Sequence, residues 1–225
     1  MTKAAWKWAN RGGAIVLTLL ASPLLAPQLL AFPYVTTIDG HKVYSEAPIE
    51  PGLDAIVTSA DLKVARSPIG NSRARDQSIF LTAGGWRWTW LAVTQRDAFA
   101  LTRPLSEAVI VNRSEQASDS IRNGRTIGGL VTLSGTIAHE MTHGAIRAHF
   151  GLVAAQRYPR QLVEGYCDNV AGRGSLSDAD ARRLIASRTD HPALLYWHGR
   201  KKVEAALVAN GGSVDALFAN WGRRS

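Results

Sequence analysis

At 225 residues, with 46% apolar and 20% charged side chains, the chain is long enough to bury a core and too apolar to be a disordered segment. A single cysteine, Cys167, excludes an internal disulfide framework. The formal net charge is +8, of which Lys3, Lys7 and Arg11 precede the first acidic residue, Asp39. No basic run interleaved with aromatics follows, so no nucleic-acid partner is expected.

Residues 12–35 carry no charge and are mostly apolar. As a helix, the run from Gly13 to Pro33 would extend about 30 Å, enough for the hydrocarbon core of a bilayer. Basic residues before it and none just after it orient the N-terminus to the cytoplasm and the rest of the chain outside. Trp6 and Trp8 suit the headgroup boundary. A cleaved signal peptide is the competing reading, with Ala21, Ala26 or Ala31 as the last residue. Leu19, Leu24 and Leu29 then occupy the position two before each, where a small residue is preferred. Pro23 and Pro27 weaken a straight helix. An uncleaved anchor is expected over a signal peptide, and on either reading the remainder is exported. The organisation expected is therefore residues 1–35 as cytoplasmic tip and anchor (or signal peptide) and residues 36–225 as one exported domain.

Tyr34 to Ile38 and His41 to Ser45 flank Asp39-Gly40, a two-residue hairpin signal. Leu53 to Ala65 has apolar residues at helical spacing and ends before Pro68. Residues 67–76 read as a connection, and Ile79 to Thr82 as a short strand. Trp86-Arg87-Trp88-Thr89-Trp90 fits a strand or one face of a helix, and pattern alone leaves both open. Core packing is expected for it in preference to a sugar-binding aromatic row. Ala98 to Thr102 and Glu107 to Asn112 read as strands around Pro104. Ser118 to Arg125 reads as a short helix with a turn at Asn123-Gly124.

The next helix, starting between Gly129 and Ser134, contains His139-Glu140-Met141-Thr142-His143. Residues i and i+4 share a helix face, so both imidazoles can reach one metal ion. Glu140 is turned by about 100° around the axis, close enough to act as a base without binding the metal. A catalytic zinc takes three protein ligands and keeps a fourth position open, so a third donor is needed. The following helix, from Pro159 to Gly172, carries Glu164 and Asp168, again at i and i+4. Glu164 can bind the metal while Asp168 accepts the free ring N–H of one histidine. Cys167 beside them reads as a small buried filler rather than a ligand or nucleophile. Helices starting at Ser177 and Pro192 and one capped by Ser213 complete a helical C-terminal third. His41, His149 and His191 carry no partner pattern and read as solvated or capping residues.

His139, Glu140 and His143, followed by the Glu164-x-x-x-Asp168 pair, resemble the gluzincin metallopeptidases, the group of thermolysin and the leukotriene-hydrolase-type aminopeptidases. The resemblance covers roughly residues 100–221. It implies an α+β, zincin-like domain: a small antiparallel or mixed sheet, two helices bearing the site and a helical C-terminal part. It also implies Zn2+ held by His139, His143 and Glu164, with Glu140 as general base and Asp168 supporting a ligand. Tyr196-Trp197-His198-Gly199 is similar to the Tyr-x-x-Gly segment of the aminopeptidase branch, which makes Tyr196 the candidate donor to the oxyanion. His198 and Tyr158 are the substitutes. The glutamate signature that grips a substrate's free amine is absent, so an endopeptidase acting on peptide or protein substrates is expected. Ala108-Val109-Ile110-Val111-Asn112 matches the edge strand that aligns an extended substrate in that family, with an ordinary inner strand as the equal alternative. An exported binding module that keeps zinc for stability is the second functional reading.

Overall fold

The computed structural model describes Gly13, Val16, Thr18 and residues 21–72, 76–93, 95–172, 174 and 176–222. Strands β1 (Tyr34–Ile38) and β2 (His41–Ser45) form the expected hairpin, in register from Tyr34↔Ser45 to Ile38↔His41. Asp39 and Gly40 both have positive φ, 49° and 86°, as the primed turn that matches strand twist requires. Helix α1 (Leu53–Ala65) leads to β3 (Ile79–Leu81), then to helix α2 (Trp86–Ala92). The tryptophan segment is therefore helical. β4 (Ala100–Thr102) and β5 (Val109–Val111) complete a mixed five-stranded sheet in the order β1-β2-β3-β5-β4. β2, β3 and β5 run parallel, and the two outer pairs are antiparallel.

A second, antiparallel sheet joins β6 (Ser114–Glu115), β7 (Ser120–Arg122) and β8 (Leu130–Thr132). The helix expected over residues 118–125 is thus a strand, preceded by a single 3-10 turn at Gln116–Ser118. A strand neighbour on each side satisfies the main chain of β7, which no periodicity in so short a stretch could announce.

Six helices follow: α3 (Leu133–Phe150), α4 (Leu152–Arg157), α5 (Arg160–Ala171), α6 (Asp178–Ala186), α7 (Ala193–Ala209) and α8 (Val214–Asn220). Caps set their starts. Thr132, Ser177 and Ser213 accept hydrogen bonds from the amides of Gly135, Asp180 and Ala216, each cap contributing about 1 kcal/mol.

Alternation along the inner strands divides the interior in two. Ile79, Leu81, Val109 and Val111 face α1 and α3, joining Val57, Val64, Ile137 and Met141 in the main core. Phe80 and Ile110 point the other way and pack with Trp88, Leu91 and Phe32 in a second core. Each of these fully buried side chains contributes about 1.5–3 kcal/mol. The molecule is α+β, as expected, with the sheet sandwiched between α3 on one side and α2 on the other.

Two further expectations need correction. The uncharged N-terminal run is not one helix to Pro33: Ser22–Leu24 and Pro27–Leu30 are separate 3-10 turns. Pro23 and Pro27 lack the N–H that would continue a helix. Among the described residues, no helix is long and apolar enough to cross a membrane. Most of the anchor or signal segment ahead of Ala21, with the basic tip and Trp6 and Trp8, lies outside the described residues. Packing begins ahead of residue 36, since Phe32 is already buried in the second core. Of the two readings left open for the residue 108–112 strand, the inner strand is the one found, and β4 lies outside it at the edge. Finally, His41 is not solvated. It is fully buried, with Nε2 3.0 Å from Asp61 and Nδ1 3.1 Å from the Gln77 carbonyl.

Candidate metal centre

α3 places His139 and His143 one turn apart, with ring centroids separated by 5.1 Å. α5 packs against α3 and presents Glu164 and Asp168 to them. His139 Nδ1 lies 2.8 Å from Asp168 Oδ1, and its Nε2 lies 3.2 Å from Glu164 Oε2. The same Glu164 oxygen is 3.8 Å from His143 Nε2. Both Nε2 atoms therefore converge on one carboxylate oxygen. On the far side of the second ring, Cys167 Sγ lies 3.6 Å from His143 Nδ1. His139, His143 and Cys167 each offer a ligand atom, all within 4.8 Å of one another, and could hold a metal ion. The two donor triads share both imidazoles and differ in the third member. Glu164 lines the cleft beside the site, whereas Cys167 is fully buried and does not.

The electrostatics favour positive charge at this point. Burial works against a charged His139, but the hydrogen bonds with Asp168 and Glu164 outweigh it and raise its pKa well above the ordinary histidine value. Burial would likewise raise Glu164. The bond with His139 and the charges of His143, His139 and Arg160 win, holding its carboxyl at about 2. His143 has no such hydrogen-bonded carboxylate, and burial lowers its pKa. Burial pushes the Cys167 thiol well up, so it is a neutral thiol in this state. The second oxygen of Asp168 is buried with no hydrogen-bond partner among the described residues. A buried, incompletely satisfied Asp168 and a part-buried Glu164 around two imidazoles make a site that a cation would stabilise.

Glu140 points to the edge strand rather than to the imidazoles. The Thr102 hydroxyl on β4 sits 2.6 Å from Glu140 Oε2 and 2.9 Å from its carbonyl. Asn112 donates its amide to the Phe99 carbonyl, and Arg103 donates to Ala108. By alternation, the main-chain groups of Ala100 and Thr102 then face away from β5, along the open edge. That edge forms one wall of a cleft of about 720 Å³, which also takes in His139, Glu140, His143 and Glu164.

Tyr196 reaches the opposite wall of this cleft from α7. α7 can lie against α5 because Gly165 and Gly199 meet backbone to backbone; a Cβ on Gly165 would come within 2.3 Å of the Gly199 carbonyl carbon. Arg160 donates to the Tyr196 hydroxyl at 2.6 Å, and its Nε is 3.6 Å from Glu164 Oε1. The phenol oxygen thus accepts from Arg160, leaving its own proton free to be donated. Burial, reinforced by the Glu164 charge, raises the Tyr196 pKa, so the phenol keeps that proton. The two substitutes lie elsewhere: His198 is exposed, and Tyr158 packs edge-on against Phe150 and Phe218.

The structure brings His139, Glu140, His143, Glu164, Asp168 and Tyr196 to one cleft. It adds Thr102 and Arg160, which sequence reasoning did not place there, and behind the cleft it puts Cys167, read from sequence as a filler, among the possible metal donors. Arg160 could have been found, being four residues ahead of Glu164 on the same helix. Thr102 carried no signal, because only the sheet order brings β4 beside α3. Compared with protein-family models, curated proteins and solved structures, the chain matches none.

Proposed function

We propose that the chain is a zinc-dependent peptidase of zincin-like fold, tethered to a membrane through its N-terminal segment with the cleft outside the cytoplasm. The observation that carries this reading is the convergence of His139 Nε2 and His143 Nε2 on Glu164 Oε2, at 3.2 and 3.8 Å, at the wall of an open cleft. Two imidazoles and a carboxylate leaving one position open is the donor set of a catalytic zinc. Asp168 occupies His139 Nδ1, which turns the other nitrogen toward the cleft and raises its basicity. Bound zinc supplies a Lewis acid and lowers the pKa of water.

The chain's own groups supply the rest. The outward main-chain groups of Ala100 and Thr102 can pair with an extended peptide without reading its side chains. Glu140, steadied by the Thr102 hydroxyl, takes the proton of the attacking water and returns it to the leaving nitrogen. Tyr196 donates a hydrogen bond through its O–H, keeping the proton, to the oxygen that gains charge as the carbonyl becomes tetrahedral. Purified protein should contain one zinc per chain. Glu140→Gln should retain it while cleavage of a peptide library falls about a hundred- to ten-thousandfold. Absence of stoichiometric zinc, or full activity in Glu140→Gln, defeats the reading.

A second reading, an exported module that keeps zinc for stability without catalysis, is favoured by one observation. Cys167 lies within the donor cluster, and structural zinc sites prefer thiolate. A thiolate-to-metal charge-transfer band in the cobalt-substituted protein, with no cleavage of any peptide, would establish it.

A further inference from the structure

Helix α2 is apolar on both sides but, among the described residues, is covered by protein on only one. Trp88, Leu91 and Ala92 are buried in the second core. Trp86 and Trp90, one turn apart, are 60% and 40% exposed, and Val93 continues their stripe at 46%. A helix that is apolar all round is normally enclosed. Beside it, the N-terminal 3-10 turns leave Leu25 and Leu29 each 60% exposed. Arg87 fastens the two elements together, donating to the carbonyls of Leu30 and Ala31 at 2.9 and 3.0 Å. Its guanidinium lies over the Trp86 ring and is paired with Glu46. The uncovered surface is thus one patch built from two tied segments.

We propose that this patch rests on a lipid bilayer, with Trp86 and Trp90 at the headgroup boundary and the metal cleft turned away from the membrane. Three observations select lipid as the occupant. The uncharged run starts at residue 12, and its described part carries Leu25 and Leu29 of the patch, so a chain held in a membrane by the residues ahead of Ala21 delivers this face to the surface first. Between residues 77 and 96 there is no acidic side chain, and Arg87 is neutralised by Glu46, so the patch itself carries no net negative charge to repel a zwitterionic or anionic surface; Asp76 and Asp97 flank the stretch. Tryptophan is the residue whose amphipathic ring favours the interface, and two of them project from the same helix face. The sheet separates α2 from α3, so docking by α2 leaves the imidazoles on the far side of the sheet, and the cleft comes nearest the patch at Gln95 and Asp97. This inference rests on the tethered part of the proposed function and is independent of its metal chemistry.

The test uses the full chain reconstituted in mixed phosphatidylcholine–phosphatidylglycerol vesicles. A fluorescent thiol label is attached through Trp86→Cys, Trp90→Cys or, as a control on the other side of the molecule, Val208→Cys. Val208 is 85% exposed on α7, and the fully buried Cys167 of the unsubstituted chain gives the baseline. With lipids brominated near the headgroup, emission at positions 86 and 90 should fall about twofold, and at 208 hardly at all. Vesicle-bound chain with positions 86 and 90 as unquenched as 208 overturns the docking and leaves the tether standing. Chain that does not float with vesicles overturns both. Shielding of 86 and 90 without lipid quenching, together with cross-linking between chains, assigns the patch to a second copy and also overturns the proposal.

Discussion

On one side of the five-stranded sheet, α3 buries imidazoles and a carboxylate among aliphatic side chains, and nearly every polar atom there finds a partner. On the other side, α2 buries apolar side chains alone and exposes more of the same kind outward. The difference is one of chemistry demanded. Groups that must hold a charge need neighbours fixed in place by two or three separate elements, and so they sit where α3, α5, α7 and β4 meet. Surface that only has to leave water needs no fixed partner, and a single short helix with two turns of chain suffices to build it.

Breaking the buried part of the apolar side should have the largest effect on stability. Trp88, 3% exposed, fills the second core and donates its indole N–H to the Arg96 carbonyl at 2.8 Å. Trp88→Ala should cost about 3–5 kcal/mol in denaturant unfolding.

On the polar side, Asp168→Ala should weaken zinc binding about ten- to a hundredfold in competition with a chromophoric chelator. The sign with pH follows from His139, whose pKa is raised by Asp168 and Glu164 against the effect of burial. Metal uptake displaces that proton, so affinity should climb as pH rises toward the raised pKa. The climb should be shallower in Asp168→Ala.

A smaller change would probe the join between the sheet edge and α3. Thr102→Val removes the hydroxyl bonded to Glu140 and should lower kcat about tenfold with little change in KM. Thr102→Ser should restore most of it, which a purely packing role would not produce. The smallest effect is expected at the outer face of α2. Trp86→Ser should cost far less than Trp88→Ala, about 0.5–1 kcal/mol, because the side chain is mostly solvated and loses chiefly its surface contact with Arg87. A large loss from Trp86→Ser, or a negligible one from Trp88→Ala, would erase the contrast between the two faces of α2.

Much of the molecule was legible from local pattern. The Asp39-Gly40 hairpin, α1 from Leu53 to Ala65, and the helices capped by Ser177 and Ser213 lie where turn and capping chemistry put them. The i, i+4 spacing alone paired His139 with His143 and Glu164 with Asp168. The misreadings were non-local. Inner and edge strands look alike when each is three residues long, so the sequence left β5 open between the two and only the sheet order made it an inner strand. His41 was read as solvated because Asp61 and the Gln77 carbonyl that hold it are remote in the chain. The run to Pro33 was expected to continue as a helix past two prolines already seen to weaken it, and there the chain forms separate 3-10 turns instead.

What the sequence determined by itself is the chemistry available on each helix face, because 3.6 residues per turn translates spacing into direction without reference to the rest of the chain. What only the tertiary structure decided is which faces meet. Thr102 reaches Glu140 because β4 closes the sheet beside α3, and Arg160 reaches Tyr196 because two glycines let α7 settle on α5. Those encounters depend on packing between segments tens of residues apart, where close contact is set by the fit of whole elements and not by any local repeat.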